Sequence, residues 1–293
     1  MPIFSVPESL RTWAEVDLGA IRANHDFVRQ RIGPSPTILA VVKANGYGHG
    51  ARETVRTLAS PKTIFGVANL HEAAEIQTVS DGNDVMLLGP CLPGERREAV
   101  RANHIVTVSS AAEAEAFSRF GTVRINFKID TGMGRIGCWS DAAISDLQSL
   151  HSVPGIAVHS ISTHLPSADE DTAFTTKQLT SFTKLARTLH EIAPTAKLHS
   201  LNSAGILTLP EFAGDIVRPG LMLYGSSPIP IFSAALRPAL AWKARIVLLK
   251  DLPAGAGVSY GRTYISSTPI RTAVIPVGYA DGYPRQASGQ GCG

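Results

Sequence analysis

The chain has 293 residues, 44% of them hydrophobic and 17% charged, with a formal net charge of +3. That balance excludes an intrinsically disordered protein, and a small, scattered excess of Lys and Arg offers no footprint for nucleic acid. Three widely spaced cysteines, Cys91, Cys138 and Cys292, match neither a disulfide framework nor a zinc motif, so a reducing cytosol is expected. The opening MPIFSVPESLRTWAEV lacks the basic and apolar regions of a secretory leader. The uncharged stretches 147–168 and 219–236 are interrupted by Pro, Ser, Gly or His, so no membrane span is expected.

From about residue 10 the pattern alternates. TWAEVDLGAIRANHDFVRQRIG has helical spacing, and TILAVVKAN reads as a strand buried on both faces. Strand-like runs recur at TIFGVAN, DVMLLGP, IVTVSS, VRINFKID, IAVHSISTH, AKLHSLN and DIVRPGLMLYG, with helix-like segments between. About eight strands with crossover helices predict a closed (β/α)8 barrel. An open doubly wound sheet is the competing arrangement, although no GxGxxG turn follows the first strand. The rhythm changes at the proline-rich SSPIPIFSAALRP, after which ALAWKARIVLLKDLPAG, GAGVSYGRTYI and RTAVIPVGYADGY read as strands without helices. The expected division is a barrel over 1–234 and a partial all-β domain over 235–293. The glycine-rich QASGQGCG brings no closing strand, which reads as a β-domain cut short.

Polar residues punctuate the strand ends, where a (β/α)8 barrel carries its active site. Lys43 follows the first strand, Arg135 follows VRINFKID, His164 ends IAVHSISTH, Asn202 and Ser203 end AKLHSLNS, and Arg218 follows DIV. A lysine there is either a rim residue or a partly desolvated amine suited to attack an aldehyde. Hydroxyls and backbone N–H groups suit a phosphate, and an arginine fork suits a carboxylate or a ring nitrogen. A phosphorylated aldehyde cofactor, pyridoxal phosphate (PLP), would use all of them.

The motifs AVVKANGYGHG, KIDTGMGRIG, STH, HSLNSAG, VRPGLMLYG, GVSYGRTY and VGYADGY, in this order, resemble the alanine racemase family across essentially the whole chain. The resemblance implies a PLP-dependent, cytoplasmic enzyme that interconverts L- and D-alanine and supplies D-alanine for peptidoglycan. It also implies a head-to-tail homodimer. Lys43 then resembles the Schiff-base lysine and the acid/base for the D-enantiomer. Tyr260 resembles the opposite-face acid/base, acting in the partner's site, with Tyr264 as its rival. Tyr47 and Ser203, with the N–H groups of Gly220 and Met222, resemble phosphate ligands, and Asn202 a further cofactor contact or simply a helix cap. Arg218 resembles the arginine at the pyridine nitrogen, His164 the histidine linking it to the tyrosine, and Arg135 the arginine near the substrate carboxylate. Lys128 matches a lysine that is carbamylated in some relatives. No metal is implied. The family's β-domain continues past GYADGYP, which this chain lacks, so a fragment is expected. A racemase of serine or another small amino acid, a related decarboxylase, or a PLP-binding protein left inactive by truncation are the competing functions.

Overall fold

Apolar runs too short for helices and lacking polar alternation become the interior strands of a sheet. A computed structural model describes residues 7–80 and 82–289. It divides into two units, Asp17–Ala239 and a second that joins the described residues before Asp17 to those from Leu240 onward. The strands in chain order are β1 Thr12–Val16, β2 Thr37–Val41, β3 Thr63–Val67, β4 Val85–Leu87, β5 Ile105–Val108, β6 Val123–Asp130, β7 Cys138–Trp139, β8 Ile156–Ser162, β9 Lys197–His199 and β10 Ile216–Val217. β11 Leu240–Ala244, β12 Leu248–Leu252, β13 Gly257–Val258, β14 Tyr264–Ile265 and β15 Ile270–Val274 follow.

In the first unit the parallel order is β10-β2-β3-β4-β5-β6-β8-β9, with β7 paired beside β6. The backbone N–H of Arg218, just after β10, donates to Leu201 C=O, just after β9, at 3.0 Å, so the barrel is nearly closed. These eight strands are the ones expected from the apolar runs. On β2, Ile38, Leu39, Ala40 and Val41 are all buried, as covering helices on one face and the bore on the other require. Leu39 and Val41 point inward with Ile64, Met86, Ile105 and Ile216 to fill the apolar part of the bore.

Helices cover the outside. Leu18–Ile32 buries Ala20, Ile21, Asn24 and Val28, a stripe at helical spacing. Its start corrects the helical reading of the segment from Thr12. Asp17 accepts the N–H of Ala20 and caps the helix, while the preceding TWAEV is the extended β1. The last barrel residues reach Ala239: Leu236 and Ala239 are buried, and Asn24 receives the N–H of Arg237 and donates to its C=O.

The second unit is built of antiparallel pairs, β1 with β11, β12 with β15 and β13 with β14. Lys243 on β11 reaches Glu15 on β1 at 2.7 Å. Tyr260 stands in a tight turn between β13 and β14 and is 88% exposed. Cys292 and the end of QASGQGCG lie outside the described residues. Among the described residues no helix is long and apolar enough to cross a membrane, and no cluster of His, Cys, Asp and Glu could hold a metal.

Candidate active site

The carboxyl ends of the barrel strands surround a cavity of about 560 Å³. Lys43, Tyr47, Arg135, His164, Asn202, Ser203, Arg218 and Gly220 all line it, so residues far apart in the chain meet in one place. Met222 is buried, and Tyr260 is carried by the second unit.

Lys43 opens an unusual turn. Ala44, Asn45, Gly46 and Tyr47 have φ of 51°, 53°, 62° and 53°, a consecutive left-handed run. Each non-glycine residue there costs roughly 1–2 kcal/mol, somewhat less for asparagine. Local bonds offset that strain. The N–H of Gly46 donates to Val42 C=O at 2.8 Å, and that of Ala51 to Asn45 Oδ1 at 2.9 Å. His49 Nδ1 lies 3.1 Å and 3.0 Å from the carbonyls of Gly46 and Tyr47, so this nitrogen carries the proton. The run turns the chain sharply enough that both Lys43 and Tyr47 face the cavity.

Tyr47 Oη stands against Gly220, where a Cβ would come within 2.7 Å of it. The N–H of Gly220 donates to Ser203 Oγ at 2.9 Å, and that of Met222 does so at 3.4 Å. Ser203 Oγ thus gathers the N–H groups of Gly220 and Met222, and the Tyr47 hydroxyl lies against Gly220 in room that a side chain there would take. Asn202 lines the cavity, but its amide serves the local fold: Oδ1 accepts from Gly205 N–H at 3.0 Å, and Nδ2 donates to Leu165 C=O at 3.2 Å.

Arg218 is buried and ringed by neutral acceptors. Its Nη1 lies 2.7 Å from His199 Nδ1, and its Nη2 donates to the carbonyls of Thr163 at 2.7 Å and Ser200 at 2.9 Å, with His164 Nδ1 at 3.3 Å. A guanidinium only donates, so both histidines must present bare Nδ1 atoms. His199 then donates from Nε2 to Asn126 Oδ1 at 3.1 Å, which also accepts from Ser160. Asn126 Nδ2 donates to Thr107 Oγ1 at 3.0 Å, and Thr107 to Leu87 C=O at 2.7 Å. Every proton in this line is fixed by the arginine at its head. Burial, reinforced by Arg218, pushes His164 down to about 2 and His199 well below its usual range, so both stay neutral. Burial also lowers Arg218 to about 10, which leaves it charged at neutral pH.

Basic side chains outnumber acidic ones around the cavity: among the described residues, Lys43, Lys128, Arg135 and Arg218 line it with one carboxylate, Asp169. Burial and then Arg218 push the Lys128 amine well below its usual value, with Asp130 opposing. Asp130 is engaged by backbone: it accepts from Gly132, Met133 and Arg135 at 2.9, 2.8 and 2.9 Å. Burial alone would raise its pKa, and these N–H groups together lower it. They wrap the TGMGR loop around the carboxylate and so place Arg135. Gly137 closes the loop where a Cβ would come within 2.7 Å of Asp130 N.

Sequence reasoning missed His199, Asn126 and Thr107 as parts of the site. Single polar residues in apolar strands give little signal until the register places Thr107 beside Asn126, and Asn126 beside Ser160.

Comparison with known proteins agrees with this geometry. Residues 16–228 match the family model "Alanine racemase, N-terminal domain", and residues 239–292 match "Alanine racemase, C-terminal domain". An alanine racemase of Halothermothrix orenii is 37% identical over 290 residues, covering 96% of this chain and 76% of that protein. The crystal structure of alanine racemase from a D-cycloserine-producing Streptomyces lavendulae superposes with a TM-score of 0.86 at 35% identity, covering 98% of this chain and 78% of that one. The enzyme from Bartonella henselae, solved with covalently bound pyridoxal phosphate, has a TM-score of 0.82 at 27% identity and covers 94% and 78%.

Proposed function

The chain belongs to the alanine racemase family and is an isomerase of that kind; from this premise we propose that it interconverts L- and D-alanine with PLP in the barrel cavity, using Lys43 and Tyr260 as opposed acid–base groups. The observation that carries the cofactor reading is the cradle at Gly220. Tyr47 and Ser203 hydroxyls and the N–H groups of Gly220 and Met222 lie together beside a cavity lined by basic side chains, which suits a phosphate dianion. These four residues would hold the phosphate, and Lys43 would hold the aldehyde carbon.

When bound, PLP supplies the electron-withdrawing ring that makes the substrate's α-proton acidic. The protein supplies the rest. Arg218, able only to donate, would face the ring nitrogen and leave it unprotonated, which limits electron withdrawal and with it side reactions. Neutral His164 accepts from Arg218 at Nδ1 and has Nε2–H free to donate, a fixed orientation suited to a tyrosine oxygen. Arg135 would hold the substrate carboxylate through charge-assisted bonds. A racemase needs a base on each face of the planar carbon, so that a proton leaves one side and returns on the other. Lys43 Nζ serves one face. Tyr260, 88% exposed, is available to serve the opposite face of a second subunit's site in a head-to-tail homodimer. The product would feed peptidoglycan synthesis in the cytoplasm.

The test uses this chain with PLP. The visible absorbance of lysine-bound PLP and α-proton exchange of L-alanine in D2O are followed beside Lys43→Ala and Tyr260→Phe. Lys43→Ala is expected to abolish both signals, and Tyr260→Phe to retain the absorbance and lose the exchange. Folded wild-type protein without a Lys43-dependent absorbance would overturn the assignment.

A further inference from the structure

The strained turn after Lys43 has, besides its local bonds, one hydrogen-bond partner from outside it among the described residues: Glu72, in the helix Leu70–Gln77 that follows β3. One carboxylate oxygen, Oε1, accepts the N–H of Ala44, the residue next to Lys43, at 2.9 Å. The other, Oε2, accepts the N–H of Ala68, just past β3, at 2.7 Å. Ala68 itself lines the cavity. A single carboxylate thus bridges the ends of two adjacent barrel strands at the rim.

Helix capping explains only half of this. The equivalent junction after β5 shows what capping alone looks like. There Glu113 accepts the N–H of Ser109 at 2.8 Å while Ser110 accepts the N–H of Glu113 at 3.2 Å. The junction after β3 repeats the pattern, with Asn69 accepting the N–H of Glu72 at 3.0 Å. Among the described residues, Glu113 reaches no other strand end. Glu72 uses its second oxygen to reach 28 residues back to the left-handed turn.

We propose that Glu72 is a positioning residue for Lys43, fixing the left-handed turn so that the amine is presented to the cavity at one angle. The proposal rests on the reading of Lys43 as the cofactor-binding lysine. The chemistry of the carboxylate is required because both of its partners are N–H donors. A glutamine offers one accepting oxygen and sets an NH2 group against the remaining N–H.

The experiment compares Glu72→Gln with Glu113→Gln, which disturbs a cap of the same type away from Lys43. Hydrogen exchange at the Ala44 amide is measured in the cofactor-free protein. Borohydride trapping of PLP on Lys43 and the kcat and KM for alanine are measured in the holoenzyme. A charge-assisted bond lost at Ala44 should speed its exchange on the order of tenfold. Trapping should slow and kcat fall by a similar factor, with KM for alanine changing less than about threefold. Glu113→Gln should leave all four readings near wild type. The positioning role is overturned if Glu72→Gln matches Glu113→Gln in Ala44 exchange and in trapping rate. Should Glu72→Gln fold poorly, Glu72→Asp, which keeps both oxygens but shortens the reach, must show the same faster Ala44 exchange for the proposal to stand. Failure of the cofactor reading looks different: wild type itself would show no trapping, while Ala44 exchange would still report on Glu72.

Discussion

A methyl group at position 220 should weaken PLP binding far more than it weakens the fold. In Gly220→Ala the new Cβ would lie 2.7 Å from Tyr47 Oη and 3.3 Å from its Cζ. Ordinary contacts with carbon begin near 3.5 Å, so the hydroxyl must retreat by roughly 0.8 Å. Tyr47 has little freedom to do so. Its backbone is left-handed, and its ring packs on Tyr224 with centroids 5.2 Å apart. Loss of one hydrogen bond to a charged phosphate costs about 1.5–3 kcal/mol, which is roughly 10- to 100-fold in affinity. Overpacking alone lowers fold stability by about 1–3 kcal/mol, so unfolding is measured on the cofactor-free protein. PLP affinity is read by titrating absorbance into that protein for wild type, Gly220→Ala, Tyr47→Phe and the double variant. Because the methyl group acts through the hydroxyl, the double variant should bind no more weakly than the weaker single one. Folded Gly220→Ala protein that binds PLP within twofold of wild type would refute the cradle.

Two further outcomes follow from the buried polar groups. His199→Leu leaves Arg218 Nη1 and Asn126 Oδ1 short of a partner, so urea unfolding should show a loss of about 2–3 kcal/mol, against about 1 kcal/mol or less for Ser160→Ala; equal losses would argue against the line of fixed protons. Burial, with Lys197 and Arg124 adding repulsion and Asp84 opposing, pushes His159 down to about 4. Between about pH 6.5 and 4 the unfolded chain therefore binds a proton that the folded chain refuses. Stability should fall as the pH drops through that window, by up to about 1.4 kcal/mol per pH unit from this histidine. His159→Gln should flatten the slope of urea stability against pH by one proton, and an unchanged slope would contradict the shift.

The barrel was legible because the early strands are short apolar runs buried on two sides, as β2 at Ile38–Val41, β3 and β5 are, and because such runs recur at helix-length spacing. Its site was legible as residue types at strand ends, and as a family resemblance in the order of the motifs. Local geometry was not. KANGYG looks like an ordinary loop, since nothing in its composition demands a left-handed run through Ala44 and Tyr47. TWAEV could be drawn into the following helix because its alternation is only five residues long, and Asp17 alone marks the boundary. Glu72 sits in a helix start that reads as simple capping; only the folded chain brings Ala44 to it.

The bonds from Arg218 through His199, Asn126 and Thr107 to Leu87 all point their hydrogens the same way. Their dipoles add head to tail, each sharpening the next, as aligned bonds do in a medium of low polarisability. The charge of the arginine is thereby stabilised by dipoles aligned across the bore, from the last strand of the barrel to the carbonyl of Leu87 on β4. A buried guanidinium can in this way be held by neutral acceptors, and the cavity keeps its attraction for whatever anion enters.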